Sequence, residues 1–128
     1  MKSLGHHLIA EFYECDVALL NDTGQIKAVL LEAVQRSGAQ IIAPIFHKFA
    51  PHGVSGVVVI AESHFSIHTW PEYGYCAVDI FTCSDLTDNE TALRYLKQAL
   101  NAQSLSVVEM KRGILDLPSD QIRHKPEE

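Results

Sequence analysis

Between residues 41 and 83 the chain carries four β-rich runs in succession, with a short break at each turn. Residues 41–50 and 54–61 flank Pro51-His52-Gly53, and residues 64–70 and 75–83 flank Pro71-Glu72-Tyr73-Gly74. Proline and glycine in breaks of this length mark hairpin turns. The centre of the chain therefore reads as an antiparallel meander, and the remaining segments must pack on it.

Those segments supply two helices and two more strands. Residues 7–15 are apolar and aromatic over a strand-like length. Beyond them, Asp22 or Thr23 can cap a helix whose Ile26, Val29, Leu30, Ala33 and Val34 fall on one side, and Gly38 stands where a C-terminal cap belongs. Thr87-Asp88-Asn89-Glu90 has the form of a capping box, followed by Leu93, Leu96 and Leu100 at helical spacing. Residues 104–111 give a last strand. The order β-α-β-β-β-β-α-β predicts an α+β fold, a two-layer sandwich with one antiparallel sheet carrying two helices on one face.

With 128 residues, 47% hydrophobic and 20% charged, the chain fits one ordinary globular domain. We expect that domain over residues 1–112, with a loose, polar C-terminal tail over 113–128. A net charge of −6 without a Lys/Arg cluster argues against a nucleic-acid partner and suits a cationic small molecule. Cys15, Cys76 and Cys83 form no even disulfide framework and no CxxC pair, so they are expected as reduced thiols. The start lacks the apolar core of a secretory signal, and no apolar run reaches the roughly 20 residues that span a bilayer. The expectation is a cytoplasmic protein with no membrane contact.

Two helices cover one sheet face only. Val57-Val58-Val59-Ile60 is nevertheless apolar toward both sides, as in a strand covered twice. A second copy of the chain is the economical cover, which predicts a homodimer. Strand alternation sends His64, Ser66, His68 and Trp70 to one side. On the following strand Tyr75, Ala77, Asp79, Phe81 and Cys83 share a face, opposite the apolar Cys76, Val78 and Ile80. The apolar set suits the helix layer, leaving Asp79 and Cys83 on the face assigned to the partner.

Three chemistries compete for the segment 61–83. A serine hydrolase needs its nucleophile on a Gly-x-Ser-x-Gly elbow, whereas Ser63 stands between Glu62 and His64. A zinc site on His64 and His68 fails on reach, because four strand residues separate them by roughly 13 Å. No metal is expected. Cys15 and Cys76 read as small core residues, and Trp70, Tyr73 and Tyr75 as ordinary strand aromatics.

The third chemistry is self-processing. Glu62-Ser63-His64 and His68-Thr69-Trp70-Pro71-Glu72, preceded by His47-Lys48-Phe49 and Pro51-His52-Gly53-Val54-Ser55-Gly56, resemble the self-cleaving region of the small bacterial and archaeal S-adenosylmethionine decarboxylases. The general likeness runs to about residue 110. It implies that Ser63 attacks the carbonyl of Glu62, and that elimination then leaves a β chain 1–62 and an α chain 63–128 headed by a pyruvoyl group made from Ser63. It assigns His68 to proton removal during processing, Ser55 to support of the processing intermediate and Cys83 to proton donation in decarboxylation. A pyruvoyl ketone forms a Schiff base with a substrate amine and accepts the electrons left by carbon dioxide.

The resemblance further implies S-adenosylmethionine as substrate, polyamine (spermidine) synthesis as destination, Phe49 as an aromatic wall and Glu72 as acceptor for the ribose hydroxyls. The same pyruvoyl chemistry on arginine or ornithine is the alternative within the class. An uncleaved binding or metal-sensing domain is the alternative outside it.

Overall fold

The computed structural model describes residues 3–61, 63–83 and 87–122. Its sheet is built from β1 (Ser3–Tyr13), β2 (Ile41–Lys48), β3 (Val54–Ile60), β4 (Ser63–Trp70), β5 (Tyr75–Thr82) and β6 (Ser104–Ile114), in the order β2-β3-β4-β5-β1-β6. All five junctions are antiparallel. The meander predicted from the turn residues is thus four strands of six, and β1 enters beside β5 with β6 on its outer edge.

Helices α2 (Thr23–Ser37) and α3 (Asn89–Ala99) lie together on one face, and a short α1 (Val17–Leu20), unforeseen from the sequence, precedes them. The α2 start is fixed by Asp22, whose Oδ1 accepts from the Gln25 backbone N–H at 3.0 Å. Its end is fixed by Gly38 at φ +85°, a left-handed conformation that glycine adopts without strain. Ile26, Leu30, Ala33 and Val34 are fully buried, spaced as one helical face. They meet Ala10, Phe12, Val58, Phe65, Ile67, Val78 and Ile80 from the sheet. Truncation at the centre of this layer, Leu30→Ala, should lower unfolding free energy by about 2–5 kcal/mol in chemical denaturation.

Two sequence expectations are corrected. The α3 cap is Asp88, which accepts from the Thr91 backbone N–H at 3.0 Å and from the Thr91 hydroxyl at 2.6 Å. The predicted Thr87/Glu90 box is displaced because Asp88 lies one position nearer the helix and its carboxylate reaches Thr91. The ordered chain also does not stop at Gly113. The strand β6 continues to Ile114, a 3-10 turn follows at Ser119–Gln121, and Ile122 is buried. Of the four apolar residues in that tail, Ile122 is the buried one, and it anchors what composition alone reads as loose.

The opposite sheet face carries no helix. Ile9, Ile45, Val57, Val59, Val108 and Met110 stand exposed on it, Ile45 at 68% and Val108 at 57%. Among the described residues no helix is long and apolar enough to cross a membrane.

Candidate active site

Ser63 opens β4 directly after the turn from β3. Ile60 pairs with Ser63, so positions 61 and 62 alone make the connection. Ala61 is tied by its N–H to the Gln40 carbonyl at 3.0 Å. Ser63 itself sits at φ +146°, a backbone conformation rarely adopted by residues with a side chain. Such strain persists only where surroundings impose it, and it gathers at functional positions. The Ser63 Oγ lies 3.5 Å from Cys83 Sγ, just past the end of β5. Both residues are half-buried. Glu62, the other half of the expected scissile pair, lies outside the described residues.

At the far end of the same strands a second group forms. Ser55 and His68 face each other across β3 and β4, with Ser55 Oγ 2.8 Å from His68 Nδ1. This contact engages Nδ1, one of the two ring nitrogens of His68. Beside them a cleft of about 300 Å³ is lined by Phe49, His52, Trp70 and Glu72. Phe49 is 47% exposed, and His47 meets it edge-on at 4.6 Å between ring centres. Glu72 belongs to the 3-10 turn Pro71–Tyr73, closed by Gly74 at φ +61°. Its carboxyl is held below the usual range by its own backbone N–H, opposed by the cost of burial and helped by His52 at 2.9 Å.

The cleft is backed by a small polar frame. Thr69 Oγ1 donates to the Leu20 carbonyl at 2.8 Å and accepts from the Val54 N–H at 2.9 Å. Asn21 Oδ1 accepts from the Gly53 N–H at 3.0 Å and from Lys48 Nζ at 2.8 Å. Asn21 and Thr69 therefore fix the turn that presents Phe49 and His52. Sequence reasoning gave no role to Asn21, Lys48 or His52, although the last two stand within the motifs of the resemblance, because their partners lie far along the chain.

The structure brings Ser63 to Cys83, and Ser55 to His68 beside Phe49 and Glu72. It does not bring the two groups to each other within one chain. Ser63 and His68 are five residues apart on β4, about 16 Å at strand rise. Between them the open face holds a polar band. Ser66 Oγ donates to Asp79 Oδ2 at 3.1 Å, His7 Nε2 lies 3.5 Å from Asp79 Oδ1, and the His7 and His64 rings stand edge to face at 6.4 Å. Burial, with His7 adding to it, makes His64 harder to protonate than an ordinary histidine. Among the described residues no group of three His, Cys, Asp or Glu side chains is arranged to hold a metal ion.

The other two thiols serve the core. Burial pushes the Cys15 pKa up to about 11 and that of Cys76 well above the usual thiol range. Nucleophilic thiolate is thereby suppressed at both. Further along the open face, Glu11 accepts from Tyr75 and Tyr13, each at 2.8 Å, which keeps its carboxyl ionised below the usual range.

Residues 6–113 match the family model described as S-adenosylmethionine decarboxylase. The chain is 50% identical over 129 residues to the S-adenosylmethionine decarboxylase proenzyme of Acidithiobacillus ferrooxidans, covering 98% of this chain and 97% of that one. It is 53% identical over 123 residues to the proenzyme of the same name from Thermotoga maritima, covering 94% and 95%. Among solved structures, the adenosylmethionine decarboxylase of Aquifex aeolicus superposes with a TM-score of 0.85 at 36% identity, covering 94% of this chain and all of that one.

Proposed function

The chain belongs to the S-adenosylmethionine decarboxylase family, an enzyme family serving polyamine biosynthesis, and from that premise we propose how its residues divide the work. The first step is maturation. Ser63 Oγ attacks the carbonyl carbon of Glu62, and the peptide nitrogen leaves as the amine of residue 63, so an amide becomes an ester. Removal of the Ser63 Cα proton then expels Glu62 as a carboxylate, with the electrons of the C–H bond forming the new double bond. Water replaces the nitrogen, ammonia departs, and residue 63 is left as a pyruvoyl group.

What supports this reading is the setting of Ser63: a two-residue connection, a backbone strained to φ +146°, and Cys83 Sγ 3.5 Å away. A planar amide resists attack unless geometry is imposed on it. The turn imposes it. His68, oriented through Nδ1 by Ser55, is of a residue type suited to take the Cα proton.

A pyruvoyl group at residue 63 would supply a ketone for the substrate amine and a sink for the electrons released with carbon dioxide. The residues around it fit that chemistry. Cys83 lies close enough to residue 63 to hand a proton to the substrate α carbon after decarboxylation. Phe49 offers its exposed ring to the adenine and the sulfonium charge, and Glu72 accepts hydrogen bonds from the ribose hydroxyls.

These groups meet between two copies of the chain. A two-fold interface on the open sheet face places the Ser63/Cys83 end of one copy against the Phe49/Ser55/His68/Glu72 end of the other, and makes the second site by the same rotation. The exposed Ile9, Ile45, Val57, Val59, Val108 and Met110 supply the apolar surface such an interface buries. We place the enzyme in the cytoplasm, where its three free cysteines stay reduced.

Intact mass spectrometry of the purified protein tests maturation. Two species are expected, residues 1–62 and residues 63–128, with the second lighter by the ammonia lost and its first residue lacking an amine. A single species at full-chain mass after long incubation overturns the reading.

A further inference from the structure

Glu72 is asked to receive two neighbouring hydroxyls, yet it is a half-exposed side chain with three rotatable bonds in a short turn. Ordering such a side chain is costly unless something already holds it. His52 Nε2 lies 2.9 Å from Glu72 Oε2. The two residues come from different turns at the same end of the sheet, His52 from the connection of β2 to β3 and Glu72 from that of β4 to β5.

Both turns are fixed separately. On the His52 side, the Phe49 N–H donates to the Gly53 carbonyl at 2.8 Å, and the Gly53 N–H donates to Asn21 Oδ1. On the Glu72 side, the Gly74 N–H donates to the Pro71 carbonyl at 3.1 Å, behind which Thr69 is anchored to Leu20. The imidazole therefore reaches the carboxylate from a rigid base. It engages Oε2, while a carboxylate has room for about four hydrogen bonds in all. With its own backbone N–H as the other partner, the Glu72 carboxylate keeps acceptor capacity to spare beside the cleft it lines.

We infer that His52 is a positioning residue for substrate binding: it fixes the Glu72 carboxylate in the orientation that receives the ribose hydroxyls and joins that wall of the cleft to the Phe49 wall. The inference rests on the reading of Glu72 as the ribose acceptor. A contact this exposed adds little to folding, so its loss shows in substrate affinity and not in stability.

The test compares the cleaved wild type with His52→Ala, His52→Gln, Glu72→Gln and the His52→Ala/Glu72→Gln double variant. Each is assayed on S-adenosylmethionine and on its 2′-deoxy analogue. His52→Ala should raise KM about fivefold to tenfold with a smaller change in kcat. The His52→Gln amide can still donate to Oε2 and should recover most of that loss. The double variant should be no worse than Glu72→Gln alone, and the penalty of His52→Ala should shrink on the 2′-deoxy substrate.

If Glu72→Gln raises KM and His52→Ala does not, the role of His52 is overturned and the ribose reading stands. If Glu72→Gln leaves KM unchanged, both fall. Additive losses in the double variant would put His52 on the substrate directly, and failure of His52→Ala to cut itself would put it in processing. Either overturns the positioning role.

Discussion

A chain carrying Ser63→Ala should remain whole: one species at full-chain mass, and no carbon dioxide released from S-adenosylmethionine above background. A methyl group has no lone pair with which to attack the neighbouring carbonyl, and an alanine at the head of the α chain could not become a ketone. The effect is therefore complete, since maturation and turnover are lost together. Folding is a separate matter. Among the described residues the Ser63 side chain contacts Cys83 at a long 3.5 Å, so circular dichroism of the variant should match that of the uncut parent. Cys83→Ala separates the two stages. It should still cut itself, while decarboxylation falls by roughly 10²–10⁴, the range for loss of a positioned proton donor. Two fragments from Ser63→Ala would remove the serine from the mechanism.

Cleavage restored by mixing two dead variants is the second large effect. Ser63→Ala lacks the nucleophile, and His68→Ala lacks the proton acceptor about 16 Å further along the strand. Neither should cut itself alone. In a mixed pair, Ser63 of the His68→Ala copy faces His68 of the Ser63→Ala copy at one site, and both lesions gather at the other. With random pairing half of the dimers are mixed and one chain of each is cut, so about a quarter of all chains should be cleaved after co-expression. Isotope labelling of one variant would show that every fragment comes from the His68→Ala chain. Co-expressed chains that stay whole, while the wild type cuts itself, would place His68 and Ser63 in one protomer and refute the shared site.

Much of the layout was legible because its causes are local. Proline and glycine at residues 51–53 and 71–74 punctuate the meander, and alternation along residues 75–83 sends Cys76, Val78 and Ile80 inward. The Ser63–Cys83 and Ser55–His68 contacts join residues that the resemblance had already singled out. The separation of about 16 Å between Ser63 and His68 follows from strand rise alone, as the His64–His68 spacing does. What could not be read is which neighbour each end of that strand meets, because cross-strand contacts depend on the assembled register. The His52–Glu72 contact was hidden for the same reason. It depends on two hairpin turns arriving at the same edge of the sheet, which only the assembled register decides. At the α3 start the competition was between neighbours, and Asp88 prevailed over Thr87 because an ionised carboxylate is a strong acceptor for the first helical N–H groups.

The strand order sets the consequence of the proposed cut. A 1–62 fragment would hold β1, β2 and β3, and a 63–128 fragment β4, β5 and β6, so three of the five junctions, β3–β4, β5–β1 and β1–β6, would lie between separate molecules. β1 is threaded between two strands of the other fragment, and α2 rests on α3 across the same divide. Neither fragment keeps a sheet of its own that could close over the apolar layer. Such a break would sever the backbone without loosening the body, and intramolecular folding would become the association of two interwoven polypeptides. Once parted, they would have to find each other by diffusion, and the precursor is the form in which that encounter is guaranteed.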